Sequence, residues 1–305
     1  MDTRKLPPCL ALLCLLLPCA SVQGVSYLLP YSLQGVRLAP SLYTGNLSPL
    51  VGGWEAKPFS GAPLFSWHVA QWGIVEDLPT ATSCSGECQD REWQLGNAYA
   101  TVEAQDGGIT LTQDARDPAF ACREFDLYLE PNDAGYPGYA PGIVPFTPPP
   151  SLAASASLVV GATQEIREAR QGTRCTPGWN LATTLVALLF LNPTAEQVIF
   201  YQLITYDSRG AHFGGFWFFT GPTVYGINDS VDVLGFPPLV PYEGPVAYRI
   251  DVLPRLTELL ANGPAPLDRD VRHWKVSGLY LGSATNGEAQ IVSTHGNVSL
   301  VGELK

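Results

Sequence analysis

Charged side chains, histidine and methionine are scarce in this sequence of 305 residues. Charged residues make up only 15% of it, there are four histidines and one methionine, and 17 Lys and Arg face 28 Asp and Glu. The resulting net charge of −11 repels the phosphates of nucleic acid, and no basic cluster offsets it. We therefore expect no nucleic-acid partner. With 46% hydrophobic residues, the chain can bury a large core.

Most catalytic signatures are also missing. The sequence has no Gly-x-Ser-x-Gly elbow, no His-Glu-x-x-His zinc helix, no phosphate-binding loop and no Cys-x-x-Cys redox pair. No two of His68, His212, His273 and His295 stand at metal-ligand spacing, so no metal site is predicted. Glycoside hydrolysis stays open, because it needs only two carboxyl groups.

The first 24 residues have the pattern of a secretory signal peptide. Arg4 and Lys5 precede an apolar stretch from Leu10 to Leu17, and small residues form a cleavage site that ends at Gly24. The apolar stretch is far shorter than the roughly 20 residues that cross a bilayer, so no membrane span is predicted. We expect a secreted, extracellular protein, or a periplasmic one if the source is Gram-negative.

Four cysteines follow the predicted signal peptide: Cys84, Cys88, Cys122 and Cys175. An even number in an oxidising compartment predicts two disulfides. Three pairings are open, and we favour a short Cys84–Cys88 link with a long Cys122–Cys175 link. Zinc binding is the alternative, but zinc sites use close ligand pairs, and Cys122 and Cys175 are isolated in the sequence.

Short β-forming runs separated by Gly, Pro and Asn turns dominate the rest of the chain. Eleven strands are predicted, over residues 99–103, 108–113, 124–130, 156–161, 183–191, 197–206, 213–219, 246–252, 275–281, 289–293 and 297–302. This pattern favours an all-β fold, an antiparallel β-sandwich of jelly-roll, concanavalin-like type. Residues 183–191 are apolar on both faces, which is typical of a covered central strand. The Asn286-Gly287 pair predicts a type I′ hairpin turn.

One short helix is predicted near residue 253. Its leucines recur at helical spacing, with a proline near the start and a glycine after the end: Leu253, Pro254, Leu256, Leu259, Leu260 and Gly263. Residues 131–150 are rich in Pro, Gly and Tyr, and form either a long loop or an inter-domain linker. We favour a single domain over 25–305 with a long loop, because a Cys122–Cys175 disulfide would bridge this segment.

The densest group of carboxylates lies in residues 124–130. Strand alternation puts Glu124, Asp126, Tyr128 and Glu130 on one face, with apolar side chains between them on the core side. Glu124 and Glu130 are about 20 Å apart in an extended strand, whereas Glu124 and Asp126 are about 7 Å apart. If the protein is an enzyme, Glu124 and Asp126 are its catalytic pair. The alternative is a solvent-facing acidic edge.

This strand resembles the Glu-x-Asp-x-x-Glu strand of family-16 glucanases, which are jelly rolls. It departs from that pattern, since three residues separate Asp126 from Glu130 where the family has one or two. The stretch from Trp274 to Gly282, with the pattern Trp-x-Val-x-Gly-x-Tyr-x-Gly, is similar to a closing strand of glycan-recognition jelly rolls. Both resemblances imply a secreted sandwich that handles carbohydrate.

A second candidate site combines aromatic and polar residues. Sugar rings offer flat C–H faces bordered by hydroxyls, so a glycan site pairs an aromatic platform with hydrogen-bonding side chains. We predict that Trp217 is the platform and that Asp207, Arg209 and His212 orient the hydroxyls. Packing of Trp217 in the core is the alternative. Other candidate platforms are Trp67 beside His68, Trp72, and Trp179 beside Asn180.

No cofactor is predicted, with calcium as the one alternative. Asp268 and Asp270 are close carboxylates in a loop, but no EF-hand pattern accompanies them. Taken together, the residues predict a secreted, non-catalytic protein that binds a polysaccharide or glycan. One alternative is a glycoside hydrolase or polysaccharide lyase on the same scaffold. The other is an extracellular structural or interaction protein with an exposed apolar patch.

Overall fold

The structure, a computed structural model, describes residues 25–31, 36–39, 43–45, 48–56, 65–72, 93–96, 98–105, 108–120, 122–133, 151–176, 180–219 and 221–304. Seventeen strands and one α-helix are formed by these residues. The first eight strands are β1 (Val25–Tyr31), β2 (Val36–Ala39), β3 (Tyr43–Gly45), β4 (Ser48–Ala56), β5 (Phe65–Trp72), β6 (Trp93–Gly96), β7 (Ala100–Gln105) and β8 (Gly108–Asp114). The remaining elements are β9 (Glu124–Asp133), β10 (Ser155–Gln171), β11 (Leu181–Asn192), β12 (Gln197–Asp207), β13 (Gly214–Phe219), β14 (Val224–Ser230), β15 (Val246–Asp251), α1 (Leu253–Ala261), β16 (Lys275–Asn286) and β17 (Ala289–Leu304).

The strands form two sheets. The seven-stranded sheet has the order β15-β10-β17-β8-β7-β6, with β1 also paired to β17. The ten-stranded sheet has the order β13-β14-β12-β11-β16-β9-β5-β4-β2, with β3 paired to β4. Side chains from both sheets share one apolar core, among them Leu111, Leu158, Phe125 and Val186. The predicted all-β sandwich with one short helix is confirmed. The β12–β14 pair is parallel, so the sandwich is not wholly antiparallel.

Strand β11 lies in the middle of the ten-stranded sheet and is covered on both faces, as its sequence predicts. Val186, Leu188 and Phe190 point into the core between the sheets. Leu185 and Leu189 point the other way and join a second apolar cluster on the outer face of this sheet. A strand buried on both sides needs the continuous apolar sequence seen here.

Several strands differ from the predicted ones. Strand β10 runs through Gln171, well beyond the predicted end at residue 161, although Glu and Arg occur in its second half. The two strands predicted over 289–293 and 297–302 are one continuous strand, β17. His295, which lies between the two predicted strands, is buried within it. Strand β14 was not predicted, since Gly226, Asn228 and Asp229 interrupt its apolar pattern. Strands β1 to β6 were not predicted either.

The Asn-Gly turn does not close a hairpin. Gly287 has a φ of 69°, but Asn286 is not among the residues with positive φ, whereas a type I′ turn needs both. Strand β16 belongs to the ten-stranded sheet and β17 to the seven-stranded sheet, so the chain crosses between layers here. The predicted hairpin is therefore wrong. The turn is instead held by a residue outside it, because the Gly287 N–H donates a hydrogen bond to the Arg123 carbonyl.

A disulfide joins Cys122 to Cys175, with their Cα atoms 5.8 Å apart. It ties the residues just before β9 to those between β10 and β11, in the pairing that the sequence favoured. Cys84 and Cys88 lie outside the described residues, as do residues 134–150 of the predicted loop. Residues 131–133 belong to β9 and are not part of that loop. The single-domain division stays a prediction.

Helix α1 follows its predicted pattern. Leu256, Leu259 and Leu260 are buried against the core. On the same helix, Arg255 Nε lies 2.8 Å from Oδ2 of Asp229, a fully buried carboxylate of β14. Since a buried charge is costly unless it is paired, this contact fixes the helix against the edge of the ten-stranded sheet.

A chain of buried polar side chains crosses the space between the sheets. Gln164 of β10 donates from Nε2 to the Leu185 carbonyl, and the same nitrogen lies 3.1 Å from His295 Nδ1. Because an amide nitrogen is a donor only, Nδ1 accepts, and the ring proton sits on Nε2. This proton is donated to Ser293 Oγ at 2.9 Å.

The chain continues from Ser293 to the opposite sheet. Ser293 donates to Ser283 Oγ at 3.3 Å, and Ser283 donates to Gln113 Oε1 at 2.5 Å. Gln113 then donates from Nε2 to the Phe125 carbonyl at 2.8 Å. All of these donor and acceptor directions agree with one another. The neutral imidazole of His295 therefore joins two side chains of the seven-stranded sheet, Gln164 and Ser293, each of which also donates to the ten-stranded sheet.

Burial gives the stability of this protein a specific dependence on pH. It lowers the pKa of His295 to about 3, whereas the ordinary histidine value is 6.5. Below pH 6.5 the unfolded chain takes up a proton that the folded chain refuses. We expect the free energy of unfolding to fall from pH 6.5 toward pH 3, by up to about 1.4 kcal/mol per pH unit from this residue.

Urea denaturation at several pH values checks this, with His295→Gln compared with the parent. The glutamine keeps hydrogen-bonding groups and does not titrate, so its acid loss should be smaller. His273→Gln, at an exposed histidine, is the matched control. An equal pH slope in the parent and His295→Gln would contradict the buried neutral ring.

Candidate functional site

The outer face of the ten-stranded sheet carries the predicted carboxylate group. Along β9, Phe125 and Leu127 point into the core, and Asp126 and Tyr128 point outward, as alternation predicts. Glu124 is exposed at the start of the strand. The side chains alternate as the sequence predicts, but Asp126 and Tyr128 are buried, so this face is not the solvent-facing acidic edge of the alternative interpretation.

Strand register brings the two predicted sites onto the same face. Asp126 is paired with Ala284 of β16, Ala284 with Thr183 of β11, and Thr183 with Asp207 of β12. Three steps of about 4.8 Å between strands separate Asp126 from Asp207 by about 14 Å. The intervening Ala284 and Thr183 are small, so this row across the sheet has carboxylates at its ends and short side chains between them.

Aromatic and aliphatic side chains border this row. The second apolar cluster contains Tyr128, Leu185, Ala187, Leu189, Ile204 and Tyr280. The rings of Tyr128 and Tyr280 are 5.1 Å apart, and Gln202 Nε2 donates to the Tyr280 hydroxyl at 2.6 Å. A Cβ at Gly282 would lie 2.2 Å from the Leu127 carbonyl oxygen, so only glycine lets β16 approach β9 this closely.

Asp126 is the most perturbed carboxyl of this face. Its side chain is 8% exposed. Burial and the nearby charge of Glu124 raise the pKa of Asp126 well above its usual value, while a hydrogen bond from Tyr128 opposes that shift. Although Glu124 is exposed as a whole residue, partial desolvation of its carboxyl raises the pKa of Glu124 as well. Asp126 therefore retains its proton at pH values where an exposed aspartic acid is ionised.

The second predicted group lies beside a cavity of about 260 Å³. The cavity is lined by residues 204–207 at the end of β12, by residues 210–212, by Ser230 and Asp232, and by residues 238–241. Leu239 N–H donates to the Thr205 carbonyl, and Tyr242 N–H donates to the Ile166 carbonyl of the other sheet. These two bonds hold the proline-rich wall between the two layers.

The polar side of the cavity is built by the loop after β12. Asp207 accepts from the backbone N–H of Arg209 at 2.8 Å, and from its Nε and Nη2 at 3.1 and 2.8 Å. These bonds fix the loop that carries His212. His212 is largely exposed, and its Nδ1 lies 2.5 Å from Asp232 Oδ2. His212 and Asp207 thus line one cavity, whereas Arg209 is not among its lining residues.

Trp217 does not line this cavity. Its indole packs against the core, with its ring 6.5 Å from that of Tyr225, while the neighbouring Phe216 is 58% exposed on the other side of β13. Alternation along β13 forces this division, which the sequence left open. The stacking role of Trp217 stays a prediction.

The remaining candidates lie in β5 and at positions 179 and 180 of the sequence. In the β5–β9 register, Trp67 is paired with Pro131, His68 with Glu130, and Trp72 with Asp126. Trp179 lies outside the described residues, while Asn180 donates from Nδ2 to the Cys175 carbonyl.

Donors within the chain already occupy the Asp268 and Asp270 carboxylates. Asp268 Oδ2 lies 2.8 Å from His273 Nδ1, and Asp270 binds Arg272 through both oxygens. Across the described ranges, no three His, Cys, Asp or Glu residues are grouped so that they could hold a metal ion. The calcium alternative has no support from this loop.

Sequence patterns did not reveal two parts of these sites. Asp232 pairs with His212 from a short turn 20 residues away, a contact set by the fold alone. Tyr242, 70% exposed next to the cavity wall, has a φ of 68° that is uncommon for a residue with a side chain. The one available signal was the run of prolines before it.

Comparisons with known proteins found likeness only among solved structures. No family model and no curated protein matches the chain. A loop-swap mutant of Xyn11A from Necallimastix patriciarum is 10% identical, covering 81% of this chain and 93% of its own, with a TM-score of 0.41. Endoglucanase 3 of family GH12 from Trichoderma harzianum is 9% identical, with coverage of 87% and 96% and a TM-score of 0.39. A native family 12 xyloglucanase from Bacillus licheniformis is 10% identical, with coverage of 91% and 99% and a TM-score of 0.35.

The weak resemblance to glucanase-like β-sandwiches is thus confirmed as a likeness of fold. Identities and TM-scores this low give no argument about activity. A separate finding concerns membranes. In the described part of the chain, no helix has the length and apolarity needed to cross one.

The raised pKa of Asp126 predicts a second dependence of stability on pH, with the opposite sign to that of His295. Above the ordinary aspartic acid value of 3.8, the unfolded carboxyl releases its proton while the folded one retains it. The free energy of unfolding should therefore fall as pH rises through the folded pKa. Asp126→Asn stays neutral, so it should not show this loss.

Urea denaturation of the parent and of Asp126→Asn from pH 4 to 8 measures the difference. Glu243→Gln, which neutralises an exposed carboxyl, is the control and should follow the parent. If Asp126→Asn loses stability relative to the parent as pH rises, Asp126 is stabilised in its ionised form, which contradicts the assignment.

Proposed function

We propose that this chain is a secreted, non-catalytic carbohydrate-binding protein whose site is the cavity beside His212. One observation carries the proposal: the cavity is lined both by apolar residues and by hydrogen-bonding side chains. Pro238, Leu239 and Val240 are among the apolar lining residues, and His212 and Asp232 are among the polar ones. A pyranose ring has the same division, with C–H groups on its faces and hydroxyls around its rim.

The negative charge of the protein favours neutral sugars over anionic ones as ligands. The chain carries a net charge of −11, and two carboxylates, Asp207 and Asp232, line the cavity. An anionic sugar would meet repulsion from both. A neutral hydroxyl can instead donate to Asp232, and it can exchange a hydrogen bond with the exposed imidazole of His212. Neutral polysaccharides or their chain ends are therefore the ligand class that suits this site.

Removal of the imidazole tests the proposal. The protein is first screened for retention on soluble and insoluble neutral polysaccharides, and the affinity for a retained glycan is then measured by titration calorimetry. His212→Ala should lower that affinity about tenfold, because it removes a hydrogen-bonding group and leaves Asp232 unpaired.

His273→Ala is the matched control. His273 is also exposed and also pairs with an aspartate, 2.8 Å from Asp268, but it lies outside the cavity. Its affinity should equal that of the parent. Equal loss in both variants, or no loss in His212→Ala, would contradict this site. If the parent is retained on no glycan at all, the structural or interaction role is favoured over carbohydrate binding.

A second candidate function is glycoside hydrolysis or a polysaccharide lyase reaction by Glu124 and Asp126. The observation that favours it is the buried Asp126, whose raised pKa gives a carboxyl that keeps a proton to donate at pH values where an exposed aspartic acid is ionised. The two residues are about 7 Å apart along β9, within the range of roughly 6.5–9.5 Å used by inverting enzymes. Release of reducing ends in the same screen, abolished in Glu124→Gln, would support this candidate. Retention without release excludes it.

A further inference from the structure

The turn that follows the proline-rich wall of the cavity carries an exposed tyrosine. Residues 238–241 line the cavity, and Tyr242 is the next residue along the chain. Tyr242 is 70% exposed, more than any other large hydrophobic residue in the described part of the chain. An aromatic ring left in water contributes little to the stability of a fold, because it buries little apolar surface. The presence of a tyrosine at this position therefore needs another explanation.

The backbone at Tyr242 has a conformation that glycine adopts most easily. Glu243 N–H donates to the Val240 carbonyl at 3.3 Å, which closes a four-residue turn from Val240 to Glu243. Pro241 is the second residue of this turn, and Tyr242 is the third, with a φ of 68°. Proline at the second position and a positive φ at the third are typical of a type II turn, in which the third residue is normally glycine. A residue with a Cβ costs free energy there.

The chain keeps this strain although a simple replacement would remove it. Glycine at position 242 would adopt a φ of 68° without penalty, and Gly244, two residues further on, has a φ of 92°. The surrounding structure holds the strained backbone, since Tyr242 N–H donates to the Ile166 carbonyl of β10 at 2.9 Å. Strained residues of this kind cluster at binding sites. The strain and the exposure together indicate that the ring of Tyr242 serves binding and not the fold.

Tyr242 lies close to a residue of the cavity lining. Tyr206 lines the cavity at the end of β12. Burial, the charge of Asp207 and the phenol of Tyr242 all raise the pKa of Tyr206. Two phenol groups affect each other in this way only when they are near one another. The side chain of Tyr242 thus stands on the same side of the molecule as the cavity.

The surroundings of Tyr242 are open to solvent. Val240, which lines the cavity, is 43% exposed, and Val233, next to the lining residue Asp232, is 44% exposed. Exposed apolar side chains that are grouped in this way indicate a binding surface. His212 is exposed as well. A ligand can therefore reach both the imidazole of His212 and the ring of Tyr242.

We propose that Tyr242 is the aromatic platform of the cavity, on which the C–H face of a sugar ring packs while the hydroxyls at its rim bind His212 and Asp232. This inference rests on the proposed carbohydrate-binding function. It gives Tyr242 the stacking role that the sequence predicts for Trp217, whose indole packs against the core. A tyrosine suits this position because its ring face is apolar while its hydroxyl can stay in water.

The test exchanges the ring for the residue that the turn prefers. A soluble oligosaccharide, prepared from the neutral glycan that retains the parent, is titrated into the full chain by calorimetry. Tyr242→Gly should lower the affinity about tenfold, because the stacking contact is lost. Its midpoint of urea unfolding should stay at or above that of the parent, because the strain is removed as well. Tyr242→Phe keeps the ring and should bind within about twofold of the parent.

Phe219→Ala is the matched control. Phe219 is also aromatic and is 60% exposed, but it lies on β13 and is not among the residues that line the cavity. Its variant should bind the oligosaccharide as the parent does. The comparison separates a loss at the cavity from a general effect of removing an exposed aromatic ring, and an equal loss in Phe219→Ala would contradict the assignment.

Three further outcomes would overturn the platform. One is an unchanged affinity in Tyr242→Gly. Another is a loss in Tyr242→Phe as large as that in Tyr242→Gly, because the hydroxyl and not the ring face would then make the contact. The third is a lower unfolding midpoint together with a lower affinity in Tyr242→Gly, because the side chain would then support the fold of the turn. Each of these leaves the cavity proposal standing as long as His212→Ala weakens binding. If the parent binds no saccharide, both proposals are wrong.

Discussion

The buried hydrogen-bonded chain from Gln164 to the Phe125 carbonyl is the contact on which the arrangement of the two layers depends. It passes through His295 and Ser293 in the seven-stranded sheet, crosses to Ser283 in the ten-stranded sheet, returns to Gln113 and crosses again to Phe125. Apolar contacts between sheets are tolerant of sliding, whereas a polar group displaced from its partner is left unsatisfied. The chain therefore fixes the alignment of one sheet over the other.

This alignment also determines the candidate sites, because both ends of the chain bind strands that carry them. At one end, the Phe125 carbonyl is adjacent to Asp126 in β9. At the other, the Leu185 carbonyl, which accepts from Gln164, lies two residues from Thr183 in β11. The backbones of the strands that carry both residues are thus held from the core side. The outer face can then present polar groups whose positions do not depend on solvent-exposed contacts.

The sequence predicts the layers well and the sites only in part. The apolar run at 183–191 reports burial directly, and the leucines of 253–260 report one helix face, so those elements agree with the structure. Alternation in residues 124–130 predicts which side chains face the core, but not that Asp126 and Tyr128 are buried on the other face. Contacts between residues that are distant in the sequence leave no such pattern in it. His212 meets Asp232 through a turn, and Asn286 meets Glu124 through strand register. The Asn-Gly pair was misread because its chain crosses between sheets, which local turn chemistry does not encode.

The placement of the carboxylates bears on whether this face binds or cleaves a glycan. Glycosidases set two carboxyl groups on opposite sides of the bond that breaks, separated by roughly 5–9.5 Å. Asp126 and Asp207 stand at opposite ends of the row, on the same face of the sheet. They are about 14 Å apart, which is beyond that range. Glu124 and Asp126 are within it, but they belong to one strand and so approach a ligand from the same side. Asp207 is moreover bound by Arg209 and fixes a loop. Carboxylates arranged in this way are poorly placed for attack at one bond.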